Sequence, residues 1–240
     1  MNWENQVAVV TGATSGIGKA IALSFATRGM TVVVIGRDPK RLEEVAAQAR
    51  KSTNTVFAYR ADLSDDKEIR RVRDELRMSC GAIDVLVHSV GAFHMAPIEE
   101  TPVMELDRLY RTNVRAPYAL TQALLPMVRS QQGQIVFINS SVGLATRANV
   151  AAYSATKYAL RAIADALRAE VNAAGVRVLT VYPGRTATPQ QEAIHVQEGK
   201  PYHPEMLVQP EDVATAVVDA LAVARTAEVT DVCIRPLRKT

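Results

Sequence analysis

Residues 6–29 read QVAVVTGATSGIGKAIALSFATRG. QVAVVT (6–11) is a short apolar run closed at once by glycine, the pattern of a buried strand. IGKAIALSFATRG (17–29) repeats its apolar residues at helical spacing and stops at Gly29. Between them TGATSGIG (11–18) sets Gly12, Gly16 and Gly18 in a GxxxGxG pattern, two residues longer in its first gap than GxGxxG. A chain turning directly from strand to helix needs glycine, and so does a backbone that must approach a pyrophosphate closely. The helix N-terminus then offers unpaired N–H groups and a positive dipole end to the phosphates. A tight turn without ligand has the same spacing; position at the first strand–helix junction favours the phosphate loop.

The alternation continues outward from this unit. TVVVIG (31–36), TVFAYR (55–60), IDVLVHS (83–89), QIVFINS (134–140), VRVLTVY (176–182) and EVTDVCIRP (228–236) read as further strands. PKRLEEVAAQARK (39–51), with proline near its start, and segments 65–79, 102–130, 151–174 and 210–224 read as helices. Strands alternating with helices predict right-handed crossovers and a parallel sheet covered on both faces. The one irregular stretch is 185–209, RTATPQQEAIHVQEGKPYHPEMLVQ, read as a substrate-binding loop or lid. With no repeat and no linker, residues 1–240 are expected to form a single domain.

The bulk properties exclude several functions. A net charge of +3 gives no footprint for nucleic acid. No apolar run approaches a membrane span, and the start, MNWENQVAVVTG, has no basic, apolar leader pattern. A cytoplasmic protein is expected. Cys80 and Cys233 form neither a metal spacing nor a redox pair and read as packing residues. His88, His94, His195 and His203 match no ligand signature, so no metal is expected.

The second strand ends in IGRD (35–38). An NAD site usually carries a carboxylate at this position, to bond the ribose hydroxyls. Gly36 stands there, followed by Arg37, whose paired N–H groups suit a 2′-phosphate. NADP(H) is therefore the expected cofactor, with NAD(H) the lesser possibility; Asp38 remains open as a partner of Arg37 or of the ribose. Asp62-Leu63, after the third strand, is placed to meet the adenine edge, and Asp62 or Ser64 suits a helix N-cap equally well.

YSATKY (153–158) supplies a reactive pair. Tyr153 and Lys157 are i and i+4 on a helix and share a face. A nearby ammonium favours the phenolate, so Lys157 is expected to lower the Tyr153 pKa and fit the pair for proton exchange with a hydroxyl or carbonyl oxygen. Tyr158 points about a third of a turn away and reads as packing. Ser140 ends a strand on the sheet edge where ligands bind, with Ser141 next to it. Phe93, His94 and Met95 are placed to line a substrate pocket.

TGATSGIG, Asn113 in RTNV, Ser140, YSATK and Pro183-Gly184 stand in the order and spacing of the short-chain dehydrogenases/reductases, and residues 6 to about 235 resemble the single-domain branch of that family. The resemblance implies a Rossmann-type doubly wound sheet of seven parallel strands. It implies Tyr153 as general acid/base, Lys157 on the nicotinamide ribose, Ser140 orienting the substrate oxygen, and Asn113 holding a water in a relay to Lys157. It also implies a cofactor site from Gly12, Thr14, Ser15, Gly16, Ile17, Gly18, Arg37, Asp62, Leu63, Ser89, Gly91, Tyr153, Lys157, Pro183, Gly184 and Thr188. The implied activity is hydride transfer between NADP(H) and a small-molecule carbonyl compound or alcohol, in a homodimer or homotetramer built on helices 102–130 and 151–174.

Two positions depart from the family pattern. HSVG (88–91) replaces the frequent NNAG, putting Ser89 where asparagine is usual, and serine is expected to keep a bond to neighbouring backbone. Arg185 follows Pro-Gly; it either meets an acidic substrate or turns outward to Glu192 or Glu198. A 3-oxoacyl-carrier-protein reductase is the narrower alternative, although Leu179 stands where those enzymes commonly carry asparagine and Ala169 where a carrier-binding arginine is expected, with Arg168 beside it. A non-catalytic NADP(H)-binding sensor is the alternative outside the class.

Overall fold

The computed structural model describes residues 3–238; Met1, Asn2, Lys239 and Thr240, which belong to the expected 1–240 unit, lie outside the described residues. Seven strands form one sheet: β1 (Val7–Thr11), β2 (Thr31–Gly36), β3 (Val56–Arg60), β4 (Val85–His88), β5 (Gln134–Ile138), β6 (Arg177–Pro183) and β7 (Asp231–Ile234). Their order is β3-β2-β1-β4-β5-β6-β7 and every pairing is parallel. The helices are α1 (Gly16–Ala26), α2 (Pro39–Ala49), α3 (Asp66–Ser79), α4 (Val103–Tyr110), α5 (Ala116–Arg129), α6 (Ala151–Val171), α7 (Pro189–Gln197) and α8 (Pro210–Ala222).

The strands are apolar throughout because both faces of the sheet are covered. Ala8, Val10, Val32 and Val34 point into one core with α1, α2 and α8. Val9, Val33 and Ile35 point into the other, with α3, α5 and α6. That is the period of two expected of a strand buried on both sides. Each fully buried Val, Leu or Ile contributes about 1.5–3 kcal/mol relative to exposure.

The order also explains where a ligand fits. The chain builds outward from β1 to β3, then returns to β4 on the other side of β1. Connections leaving β1 and β4 in opposite directions open a crevice beyond their carboxyl ends, the place where such sheets bind ligands.

The structure revises several local expectations. The helix expected over 102–130 runs as α4, a π-helical turn at Arg111–Arg115, and α5; the wide turn carries buried Asn113. Segment 185–209 is mostly ordered structure: it holds α7 and a 3₁₀ turn at Pro204–Met206. Its ends are tied together by a bridge between Thr186 and Val208. Thr188 and Pro189 start that helix as N-cap and first residue, a signal overlooked beside the glycine and proline that follow. Neither Asp62 nor Ser64 caps α3; Asp65 does, accepting from Lys67 N at 2.8 Å. Cys233 is exposed rather than packed. Among the described residues no helix is long and apolar enough to cross a membrane.

Candidate active site

A cavity of about 610 Å³ lies at the carboxyl edge of the sheet. Gly12, Thr14, Ser15, Gly16, Ile17, Arg37, Asp62, Leu63, Ser89, Gly91, Ser140, Tyr153, Lys157, Pro183, Gly184 and Thr188 all line it. Gly18 and Asn113 sit behind its wall. Phe93 reaches the cavity too, edge-on to the Tyr153 ring with centroids 4.8 Å apart. His94 turns instead to Glu105 at 3.6 Å.

The glycine loop owes its shape to two close approaches. Gly12 has φ +65°, and a Cβ there would stand 2.6 Å from the Ser89 carbonyl oxygen. A Cβ on Gly18 would collide with the Gly12 carbonyl. The loop therefore lies flat against the end of β4, and the Ser89 backbone N–H donates to the Thr11 side chain, at Oγ1, at 3.1 Å. α1 begins at the cavity with no side-chain cap on Ser15 and no acid in its first turn. Its N–H groups and positive dipole end face an anion without a competing carboxylate.

At the end of β2, Asp38 acts as a helix cap. Its carboxylate caps α2, accepting from Lys40 N at 3.0 Å and Arg41 N at 3.1 Å. Arg37 stays exposed at the cavity rim. Asp62 accepts from Ser64 N and Ser64 Oγ at 3.0 and 2.7 Å. The backbone bond from Ser64 outweighs burial and holds the Asp62 carboxyl below its usual range, with the Arg37 charge adding to the shift.

The opposite end of the cavity is built by α6. Tyr153, Lys157, Leu160, Ala164, Leu167 and Val171 form its buried stripe. A lysine inside such a stripe is costly unless it is bonded. Lys157 Nζ donates to the Ile138 carbonyl at 3.2 Å. Burial pulls the Lys157 pKa down to about 8. For Tyr153 the outcome reverses the expectation: burial pushes the phenol up to about 12, against a smaller opposing effect of the Ser140 hydroxyl. Desolvation of the phenolate dominates in this buried setting. Tyr158 lies outside the cavity, donating to the Leu144 carbonyl at 2.8 Å.

Asn113 is buried and fully engaged: Nδ2 donates to Ala92 O at 2.9 Å and Thr156 Oγ1 at 3.0 Å, and Oδ1 accepts from Ala92 N at 2.7 Å. Its side chain thus fastens the segment after β4 to α6, and both amide N–H groups are already spoken for by protein atoms.

Asn139 escaped the sequence reading. Buried beside Ser140, it accepts from Ser140 N at 2.9 Å and donates to the Lys157 carbonyl at 3.1 Å. One amide thus sets the distance between the serine and the lysine. No spacing rule marks it; the available signal is an amide ending an apolar strand directly before a candidate serine. Arg185 turns out to pair with Glu198, at 2.7 and 2.8 Å.

A glycine-rich strand–helix turn, an uncapped helix N-terminus and a serine beside a buried Tyr–Lys pair in one crevice define a dinucleotide-dependent oxidoreductase. The short chain dehydrogenase family model matches residues 6–199. The chain is 33% identical over 236 residues to an uncharacterized oxidoreductase of Staphylococcus epidermidis, covering 98% of both proteins. It is 39% identical over 186 residues to dehydrogenase/reductase SDR family member 7B of Mus musculus, covering 75% of this chain and 57% of that one, so it spans less than two thirds of the mouse protein. Its fold superposes on an alcohol dehydrogenase of the archaeon Thermococcus sibiricus complexed with 5-hydroxy-NADP, with a TM-score of 0.89, 25% identity and 99% coverage of each chain. A short chain dehydrogenase of Shigella flexneri complexed with NADP gives a TM-score of 0.88 at 27% identity, covering 97% and 98%. This chain belongs to the short-chain dehydrogenase/reductase family and is an oxidoreductase.

Proposed function

We propose that this protein is an NADP(H)-dependent carbonyl reductase acting on small molecules, with Tyr153 as its proton donor. The observation that carries this reading is that Ser140, Tyr153 and Lys157 line one end of the cavity that starts at the glycine loop. The residues present fit the cofactor. Gly12 and Gly18 leave the backbone open to a pyrophosphate at the start of α1. Arg37 is unopposed by Asp38 and suits a 2′-phosphate. Solved relatives complexed with NADP support the same preference.

The bound nicotinamide supplies the hydride. The protein's part is orientation and proton supply. Ser140 Oγ holds the substrate oxygen beside the phenol. As that oxygen gains negative charge, Tyr153 Oη gives it a proton. A phenol pushed up to about 12 keeps its proton across the physiological range and is ready as an acid. The phenolate left behind is stabilised by Ser140 and by the Lys157 ammonium, 5.7 Å from the ring centre. Reduction is therefore the direction the resting protonation favours. In this reading residues 1–240 form one catalytic domain, 185–209 is the substrate-binding segment, and a homodimer or homotetramer forms through the exposed apolar residues of α4, α5 and α6, among them Met104, Tyr118 and Tyr158.

The carrier-protein version has less support. Arg168, the nearest cation to the expected carrier contact, is engaged by Asp165 Oδ1 at 2.8 Å and by the Val178 and Thr230 carbonyls. The deciding experiment follows NADPH absorbance across a panel of ketones and aldehydes. Turnover by the native protein, lost in Tyr153→Phe, is expected; tight NADPH binding without oxidation by any carbonyl compound would establish a sensor instead.

A further inference from the structure

Three cations converge on one carboxylate at the substrate end of the cavity. Glu198, with its side chain 8% exposed, meets Arg185 at 2.7 Å, Arg147 at 3.2 Å and Lys200 at 3.3 Å. Arg147 and Arg185 line the cavity. The one acid among its described lining residues is Asp62, at the end of β3, on the far side of the sheet order from β6 and Arg185. The substrate end thus carries cationic charge in excess of what Glu198 neutralises. The proposed cofactor does not account for it, since its phosphates fall to the start of α1 and to Arg37.

The two arginines are held differently. Arg185 grips both carboxylate oxygens of Glu198 and is 22% exposed. Arg147 makes a single contact and is 47% exposed. Displacing Arg147 therefore leaves Glu198 paired with Arg185 and Lys200 and strands no buried charge. Arg147 also belongs to the same β5–α6 connection as Ser140, which leads directly into Tyr153. Ser140 and Arg147 line the same cavity, so one bound molecule can face both.

We propose that the substrate is a carbonyl compound bearing a carboxylate, and that Arg147 leaves Glu198 to bind that carboxylate while the carbonyl oxygen meets Ser140 and Tyr153. This rests on the carbonyl reductase reading and names its substrate class. Arg147 acts as the specificity determinant. A guanidinium makes a charge-assisted pair with any carboxylate, and exchanging Glu198 for the substrate keeps Arg147 bonded.

The competing account is that the three ion pairs merely latch α7 and its C-terminal Glu198 over the cavity. Oxo acids with the ketone two to five carbons from the carboxylate, each beside its methyl ester, separate the two with NADPH absorbance. The expected result is a kcat/KM at least roughly tenfold higher for the best acid than for its ester, the yield of one charge-assisted bond. In Arg147→Met that acid-to-ester ratio falls toward one. A latch lowers both substrates together and leaves the ratio unchanged, which overturns the proposal. So does equal or better use of the ester by the native protein, a comparison that needs no variant. Turnover of esters without acid preference defeats the carboxylate assignment and leaves the reductase reading standing. No turnover of either series, with NADPH bound, defeats both.

Discussion

The Lys157 ammonium lies 5.7 Å from the centre of the Tyr153 ring and donates to the Ile138 carbonyl. The two groups are buried together, and burial moves their pKa values apart, the lysine down to about 8 and the tyrosine up to about 12. Tyr153→Phe removes the proton donor and leaves ring packing against Phe93 intact. A kcat loss of roughly a thousandfold is expected from the loss of one positioned acid, with NADPH affinity little changed. Stopped-flow turnover and fluorescence titration of NADPH check the two halves separately.

Arg37 decides the cofactor in this reading. Arg37→Ala removes a bidentate contact to a 2′-phosphate, so NADPH binding is expected to weaken by roughly ten- to hundredfold. NADH affinity should stay the same, because its ribose has no phosphate there. Titration with both cofactors tests this, and equal kcat/KM for NADPH and NADH in the native protein would sink the assignment.

Asn139 holds Ser140 and the backbone of Lys157 at once. Asn139→Ala leaves the Lys157 carbonyl and Ser140 N without that partner in a buried setting. A stability loss of about 2 kcal/mol is expected by urea denaturation. Turnover should fall further than KM rises, because the serine and lysine lose their common anchor.

His88 makes the fold sensitive to acid. Its Nε2 bonds Thr121 Oγ1 at 2.8 Å and its ring stacks on Phe137. Full burial lowers its pKa to about 3. Below about pH 6.5 the unfolded chain takes up a proton that the folded chain refuses, so the unfolded state binds more protons and stability decreases as the pH is lowered from about 6.5 toward about 3. The slope from this one group is about 1 kcal/mol per pH unit. His88→Asn, which does not titrate, should flatten the pH 4–6 limb of a thermal denaturation series.

The sequence by itself determined the architecture, the glycine loop and the Tyr153–Lys157 pair. These rest on short-range rules: alternation of apolar strands with helical periodicity, turn chemistry at Gly12, and the i, i+4 geometry of one helix. The tertiary structure alone decided which partners those residues meet. Asp38 caps a helix through its bonds to Lys40 N and Arg41 N. Arg147 and Glu198, 51 residues apart, meet beside Arg185. Burial reverses the direction expected for Tyr153, because the cost of an enclosed phenolate depends on every element packed around it and not on the lysine one turn away.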